Sequence, residues 1–373
     1  MNIAIVSPAP PYRGGIATHT SLLMAELTQN YAVLCINFSR QYPNFLFPGK
    51  TQYLDPPVYQ ENAERIIDSI NPFSWRKAAN RIIEFEPHVV LFRFWNPFFA
   101  PIYVNIIKRI KKKNPKIKIC GLFDNLLPHE PKSTDHWLIS SFLMELDKCI
   151  VQSGTVKNEI QSIDSNAVIL KLFHPVYNQY GDSIEKSKAR DKLIVKNEFF
   201  VLFFGLVRAY KGLDILIKAT AELKKTRSDF QIMAVGECYE KDPEYLNLIE
   251  SLDIGDVFSW KNEFIPDNKI PLYFSAADVI ALPYKTASQS GIVQIATHFN
   301  KPVIVTNVGG LPEMVLDGKT GYIANPNDPY DFADKLNLIL ENEKLSKMSK
   351  EVNQFKQNLS WQVFTDKLVD FIR

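Results

Sequence analysis

The stretch FFVLFFGLVRAYKGLDILIKATAELKK, residues 199–225, decides the fold. Its first six residues are apolar without interruption, as in a strand covered on both faces. Gly205 ends the run, Arg208 and Lys211 follow in a short loop, and Gly212 closes it. From Leu213 onward the apolar residues recur at helical spacing. A buried strand, a tight cationic loop and a helix make one unit of an open parallel sheet, whose ligands sit at the carboxyl ends of the strands. Backbone N–H groups at a helix start attract anions. Arginine adds a two-pronged donor and lysine a point charge. The loop suits a diphosphate; the plainer alternative is a solvated basic loop.

The same unit recurs in both directions. Downstream lie FQIMAVG (230–236), DVIALP (278–283), PVIVTN (302–307) and TGYIAN (320–325). Upstream lie NIAIVS (2–7), AVLCINF (32–38), HVVLFRF (88–94), KIKICGLF (116–123), KCIVQS (148–153) and AVILKLF (167–173). Amphipathic segments fall between them, such as 16–29, 75–86 and 329–343. Strand and helix patterns in alternation predict a doubly wound α/β sheet. The polar run 174–193 interrupts the rhythm. The expected organisation is therefore an N-terminal α/β domain over 1–180 and a C-terminal one over 181–359. A closing helix, 360–373, is expected to pack back across their junction.

Bulk properties bound the function. The chain has 373 residues, enough for two domains of ~150 residues. A formal net charge of +2 gives no whole-molecule field for nucleic acid. Cys35, Cys120, Cys149 and Cys238 form no CxxC pair and read as small buried hydrophobes of a reduced, cytoplasmic protein. The start MNIAIVSPAP has no basic segment leading into a long apolar one, so no signal peptide is expected. No apolar run reaches the ~18 residues of a membrane span. No GxGxxG follows a strand, against a dinucleotide oxidoreductase. Asp317-Gly318-Lys319-Thr320 is no P-loop, because position 313 is Glu where that motif needs Gly. The six histidines show no metal-ligand spacing, so no metal and no cofactor is expected.

Several motifs, in order, resemble glycosyltransferase family 4. Gly14-Gly15 resembles the glycine pair that opens the first helix of such enzymes. Val235-Gly236-Glu237 resembles their donor-domain turn. Tyr273-Phe274-Ser275-Ala276-Ala277-Asp278 with Ala281-Leu282-Pro283, then Lys301-Pro302-Val303-Ile304, Gly309-Gly310-Leu311-Pro312-Glu313 and Gly318-Lys319-Thr320-Gly321, resemble the segments around the donor. The resemblance covers most of the chain. It implies a GT-B architecture: two Rossmann-like domains with parallel sheets facing each other across a cleft, acceptor on the N-terminal side and nucleoside-diphosphate sugar on the C-terminal side. It further implies transfer with retention and without metal, to a glycan or lipid-linked acceptor. Arg208 and Lys211 would neutralise the leaving diphosphate, where charge grows in the transition state. Gly15, Gly205, Gly236, Glu237, Phe264 and Ile292 would line the donor.

The chain departs from that family at one place. Most members carry two glutamates eight positions apart before the Lys-Pro-Val segment. Here no Asp or Glu stands between Asp278 and Glu313. The first glutamate falls roughly at Ser288 and the second near Ile295. Ser288, Gln289, Ser290 and the amides around Gly291 could donate to phosphate or sugar oxygens at a helix start, or form an ordinary helix cap. The missing acids also keep open a catalytically inactive binding subunit, and a nucleotide-sugar epimerase is a further alternative.

The N-terminal half has its own polar cluster. Asp124 and His129 follow the strand-like KIKICGLF and are expected to contact acceptor or transferred sugar, or else to form a capped turn. Arg93, Trp95 and Asn96 end the preceding strand and are expected on the acceptor side. His19 and His174 complete the candidates. The run 108–118 carries seven cations and no acid. It reads either as a solvated helix end or as contact with anionic lipid headgroups, which would place the protein peripherally on the inner face of a membrane.

Overall fold

A computed structural model of the chain describes residues 1–43, 51–127, 133–238, 244–287 and 289–373. They form two compact units, Met1–Phe173 with Trp361–Arg373, and His174–Ser360. The sequence-based boundary after residue 180 compares with this division after Phe173.

The first unit contains β1 (Asn2–Val6), α1 (Gly15–Leu27), β2 (Ala32–Arg40), β3 (Ala63–Asp68), α2 (Pro72–Glu84), β4 (Val89–Phe94), α3 (Ala100–Lys113), β5 (Lys118–Phe123), α4 (Ser133–Leu143), β6 (Lys148–Val151), α5 (Gly154–Ile163) and β7 (Ile169–Lys171). Its strands lie in the order β3-β2-β1-β4-β5-β6-β7 and every pairing is parallel, for example Ile3↔Val33 and Ile3↔Val89. The chain reverses its direction of travel between β1 and β4, which opens a crevice at their carboxyl ends. Right-handed crossovers place α2, α3 and α4 on one face of the sheet. There Phe92, Phe94, Tyr103 and Phe142 fill the core, with Phe94 stacked on Phe142 at 4.9 Å.

The second unit contains α6 (Lys186–Leu193), β8 (Phe199–Phe204), α7 (Leu213–Lys224), β9 (Phe230–Val235), α8 (Tyr245–Ser251), β10 (Phe258–Lys261), α9 (Ile270–Ala276), β11 (Val279–Leu282), α10 (Gly291–His298), β12 (Val303–Thr306), β13 (Gly321–Ala324), α11 (Pro329–Ile339) and α12 (Asn342–Phe355). The strand order is β10-β9-β8-β11-β12-β13, again all parallel. Here the reversal falls between β8 and β11. All six residues of β8 are buried, as their unbroken apolar run requires. The final helix, α13 (Trp361–Ile372), returns to the first unit and packs against α1.

Two strands escape the sequence pattern, β3 and β10. Both are edge strands, half-buried and interrupted by charge. The expected interruption at 174–193 contains a helix, α6, whose Lys186 and Arg190 clasp the buried Asp278. Cys35, Cys120 and Cys149 are buried; Cys238 is only half so. Among the described residues no helix is long and apolar enough to cross a membrane.

Candidate functional site

In the second unit the strand order brings the loop after β8 against the loop after β11. Gly205 leaves β8 with φ 106°, a left-handed conformation that suits glycine. The loop then runs alongside β9: Gly205 N donates to Val235 O (2.9 Å) and Val207 N to Glu237 O (2.9 Å). Gly236 lies so close that a Cβ there would stand 1.9 Å from the Gly205 carbonyl oxygen. A short 3-10 turn, Ala209–Lys211, brings the chain to Gly212 and the start of α7. Gly212 has φ 69°, and a Cβ there would meet the Pro283 carbonyl oxygen at 2.0 Å. Lys285 N donates to Tyr210 O at 2.6 Å, and the Lys285 ammonium pairs with Asp214 at 2.9 Å. Two glycines and two polar contacts thus fix these loops together at the crevice of the sheet.

Lys211 is the chemical centre of this arrangement. Its Nζ lies 5.4 Å from the centre of the buried Tyr284 ring, and 3.3 Å from where a Gly205 Cβ would be. Among the described residues no carboxylate lies within ion-pair distance of it. Burial pushes the Lys211 ammonium below its ordinary pKa, and the Arg208 charge adds to the shift. A desolvated cation without an acid is favourable only when an anion completes it. Burial likewise raises the Tyr284 phenol to about 12, so it stays a neutral donor.

The start of α10 faces the same ground. Ser290 is buried, and its Oγ accepts from Ile292 N at 3.3 Å as the helix cap. Tyr284 OH stands 3.4 Å from that Oγ. Ile292 Cδ1 lies 3.3 Å from the notional Gly205 Cβ, so the start of α10 packs directly against the β8 loop. Tyr177 lies against Gly291, where a Cβ would come within 2.9 Å of its ring. The Gln289 Nε2 is buried and has no hydrogen-bond partner among the described residues. Ile295, where a family glutamate would fall, is buried. Ser288 lies outside the described residues. Phe264 is half exposed beyond β10. The structure therefore brings together Gly205, Arg208, Lys211, Gly236, Glu237, Gln289, Ser290, Gly291 and Ile292 around three adjacent strand ends, those of β9, β8 and β11. Tyr284 and Lys285 were not singled out by the sequence, because their relevance depends on the β8–β11 pairing.

In the first unit, Gly14 and Gly15 open α1, with φ 113° at Gly14 and nothing within 4 Å of a notional Cβ there. Arg93 is buried at the end of β4 and grips Asp124 with two bonds, Nε to Oδ2 at 2.6 Å and Nη2 to Oδ1 at 2.5 Å. Its Nη1 faces His19 Nδ1 at 2.7 Å. Arginine can only donate, so the His19 proton sits on Nε2, 3.0 Å from the Gln152 amide. Turning that amide half around directs Oε1, otherwise unpartnered, to the Nε2 proton. His19 also packs edge-on against Trp361 of α13 at 4.7 Å. Arg93, expected on the acceptor side, thus spends its guanidinium on Asp124 and His19. Trp95 packs on Phe99 at 4.3 Å and donates to Tyr42 OH at 3.0 Å. Asn96 accepts from Phe98 N at 2.9 Å as a cap. His129 lies outside the described residues, and His174 is buried beside Tyr177.

Among the described residues no three His, Cys, Asp or Glu side chains cluster as a metal site would require. Residues 185–357 match the family model described as glycosyl transferases group 1. The chain is 25% identical over 229 residues to D-inositol 3-phosphate glycosyltransferase of Paenarthrobacter aurescens (strain TC1), covering 60% of this chain and 54% of that protein. It is 30% identical over 192 residues to the protein of the same name from Corynebacterium aurimucosum, covering 50% and 45%. The chain thus spans about half the length of the curated relatives it matches. Its fold is similar to that of Anabaena HepE solved with UDP, at TM-score 0.78 and 18% identity over 100% of this chain and 99% of that one. The same protein with UDP-glucose gives TM-score 0.76 and 18% identity over the same shares. The second unit thus matches the glycosyl transferases group 1 model, and the chain has the GT-B fold.

Proposed function

We propose that the protein transfers a sugar from a nucleoside-diphosphate sugar to a glycan or lipid-linked acceptor, with retention and without a metal. The observation that carries this reading is Lys211, desolvated and without an acid partner among the described residues, in a cationic loop at the crevice of the second sheet. Arg208 and Lys211 hold the diphosphate, and their charge stabilises it more as the glycosidic bond breaks. That is the task a divalent metal performs in other transferases. The capped start of α10 supplies neutral donors where relatives place acids, through the backbone amide of Gly291 and the side-chain amide of Gln289. UDP-glucose is the donor to test first, since HepE was solved with it.

Turnover of nucleotide sugars by the purified protein tests the reading. Wild type releases nucleoside diphosphate, and EDTA leaves the rate unchanged. Arg208→Ala and Lys211→Ala each lose about 2.7–4 kcal/mol of transition-state stabilisation, on the order of a hundred- to a thousandfold in rate. Nucleotide binding without any release of sugar would favour the inactive binding subunit that the missing glutamates keep open. Recovery of an isomerised nucleotide sugar would favour the epimerase.

A further inference from the structure

The residues that open the second unit, 174–181, touch α10 at both of its ends. At the first residue of the helix the Tyr177 ring lies against Gly291. A Cβ there would stand 2.9 Å from Tyr177 Cε2 and 3.6 Å from both Cζ and the hydroxyl oxygen. At the last residue, His298 Nε2 donates to the Gly181 carbonyl at 2.7 Å. Lys356 Nζ adds bonds to the His298 carbonyl (3.3 Å) and to Asn300 Oδ1 (2.7 Å), so the far end of the helix is held twice.

Tyr177 is itself fixed. It is buried, and its ring meets the His174 ring edge-on at 5.3 Å. The Pro175 carbonyl can only accept, so His174 donates to it from Nδ1, at 3.2 Å. His174 Nε2 is then left to accept from the Tyr177 hydroxyl, 3.5 Å away, a contact too long to carry much energy. The ring, more than its hydroxyl, is what bears on the helix. Gly291 has no left-handed φ, so the backbone there does not demand glycine. Alanine is the best helix former. What excludes a side chain at this position is the buried ring.

The contact matters because of the donors beside it. Ile292 N is spent on the Ser290 Oγ cap, and Val293 N on the Ser290 carbonyl at 3.2 Å. The Gly291 N–H is the donor that remains at the helix start. Hydrogen bonds weaken steeply with angle and distance, so a small shift of this turn re-aims it.

We infer that Tyr177 is a positioning residue for the nucleotide site: its ring, wedged against Gly291, sets where the first turn of α10 stands and so where the Gly291 N–H points. The inference rests on the reading of α10 as part of that site.

Calorimetric titration tests it, with whichever of UDP, GDP and ADP the wild type binds, alongside the melting temperature of each variant. Gly291→Ala weakens binding about tenfold, since residues in contact couple strongly. Tyr177→Leu shortens the side chain and removes the obstruction. In that background the same Gly291→Ala change costs less than about threefold. Tyr177→Phe keeps the ring and binds like wild type, while Tyr177→Leu alone binds more weakly. Gly291→Ala that binds like wild type, additive losses in the double variant, or a Tyr177→Leu protein that melts earlier but binds like wild type would each overturn the inference. The last result would leave Tyr177 a packing residue only. Failure of the wild type to bind any of the three nucleotides would strike the nucleotide reading and this inference with it; each of the other contrary results strikes the inference alone.

Discussion

Lys211 shows how one side chain carries a testable chemistry. Its ammonium is held below the ordinary lysine value of 10.5 by burial, which outweighs the opposing pull of Tyr210, with a smaller push from Arg208. A bound diphosphate restores the charged form, so binding takes up protons whenever free Lys211 is partly neutral. Affinity for a nucleoside diphosphate therefore declines as pH rises through a range below that in which an ordinary lysine would titrate. In Lys211→Met the affinity is lower and that decline is gone. Calorimetric titration across this range decides it; matching profiles for the two proteins would exclude Lys211 as a ligand contact. Ser290 allows a cleaner separation of charge from structure. Asp and Asn both cap helices as well as Ser does, so Ser290→Asn and Ser290→Asp keep the α10 cap, but only Asp places a negative charge beside the anion. Nucleotide affinity falls at least about tenfold further for Asp than for Asn. Equal affinities would mean that the start of α10 does not face the phosphates. At the same scale, Arg208 and Lys211 were legible in the sequence because two cations between two glycines after a buried strand is a local pattern. Tyr284 was not, since a tyrosine after a strand is unremarkable until the chain folds it under Lys211.

Elements repeat the lesson. Strands at the centre of each sheet are buried on both faces, so their apolar runs announce them. β3 and β10 lie at sheet edges, where half the surface meets water and Glu64, Arg65, Ser259 and Lys261 break the run. Their existence follows only from strand order. α13 was readable as an amphipathic helix, yet its partner was not: it packs on α1, where Trp361 covers His19. Trp361→Ala opens a buried space and lowers stability by about 3–5 kcal/mol; loss of less than about 1 kcal/mol in urea denaturation would show that α13 is not integral to the first unit. The amino edge of the second sheet makes a pH-dependent prediction. Burial lowers the Lys301 ammonium, just before β12, to about 8, against the pull of Asp278. A depressed lysine binds fewer protons folded than unfolded, so its charged form opposes folding below pH 8, and that penalty is lifted as pH climbs from about 8 toward 10.5. Wild type therefore gains stability relative to Lys301→Met over that window. A difference that stays constant with pH would contradict the placement of Lys301.

At the scale of the whole molecule, two α/β units in tandem were evident from alternation alone, while the juxtaposition that makes the candidate site was not. The β8 loop and the β11 loop are separated by more than seventy residues and meet because the strand order reverses between β8 and β11. Thiol chemistry offers a map of this arrangement. Cys35, Cys120 and Cys149 are each pushed up to about 12 by burial and stay unreactive in the folded protein. Half-exposed Cys238 bridges to Val207 at the base of the cationic loop, so it is the first to be labelled, and bound nucleotide slows its labelling. Simultaneous labelling of all four thiols would mean that the native cores open readily. The central claim is that the cationic loop of the second unit holds a nucleoside diphosphate. The most direct measurement is the melting temperature of wild type, Arg208→Ala and Lys211→Ala with UDP, GDP, ADP and CMP, since a ligand that binds only the folded state raises it by mass action. The account predicts that at least one nucleoside diphosphate raises the wild-type melting temperature and that either variant loses most of that rise. No rise with any nucleoside diphosphate, or an equal rise in wild type and both variants, would contradict it.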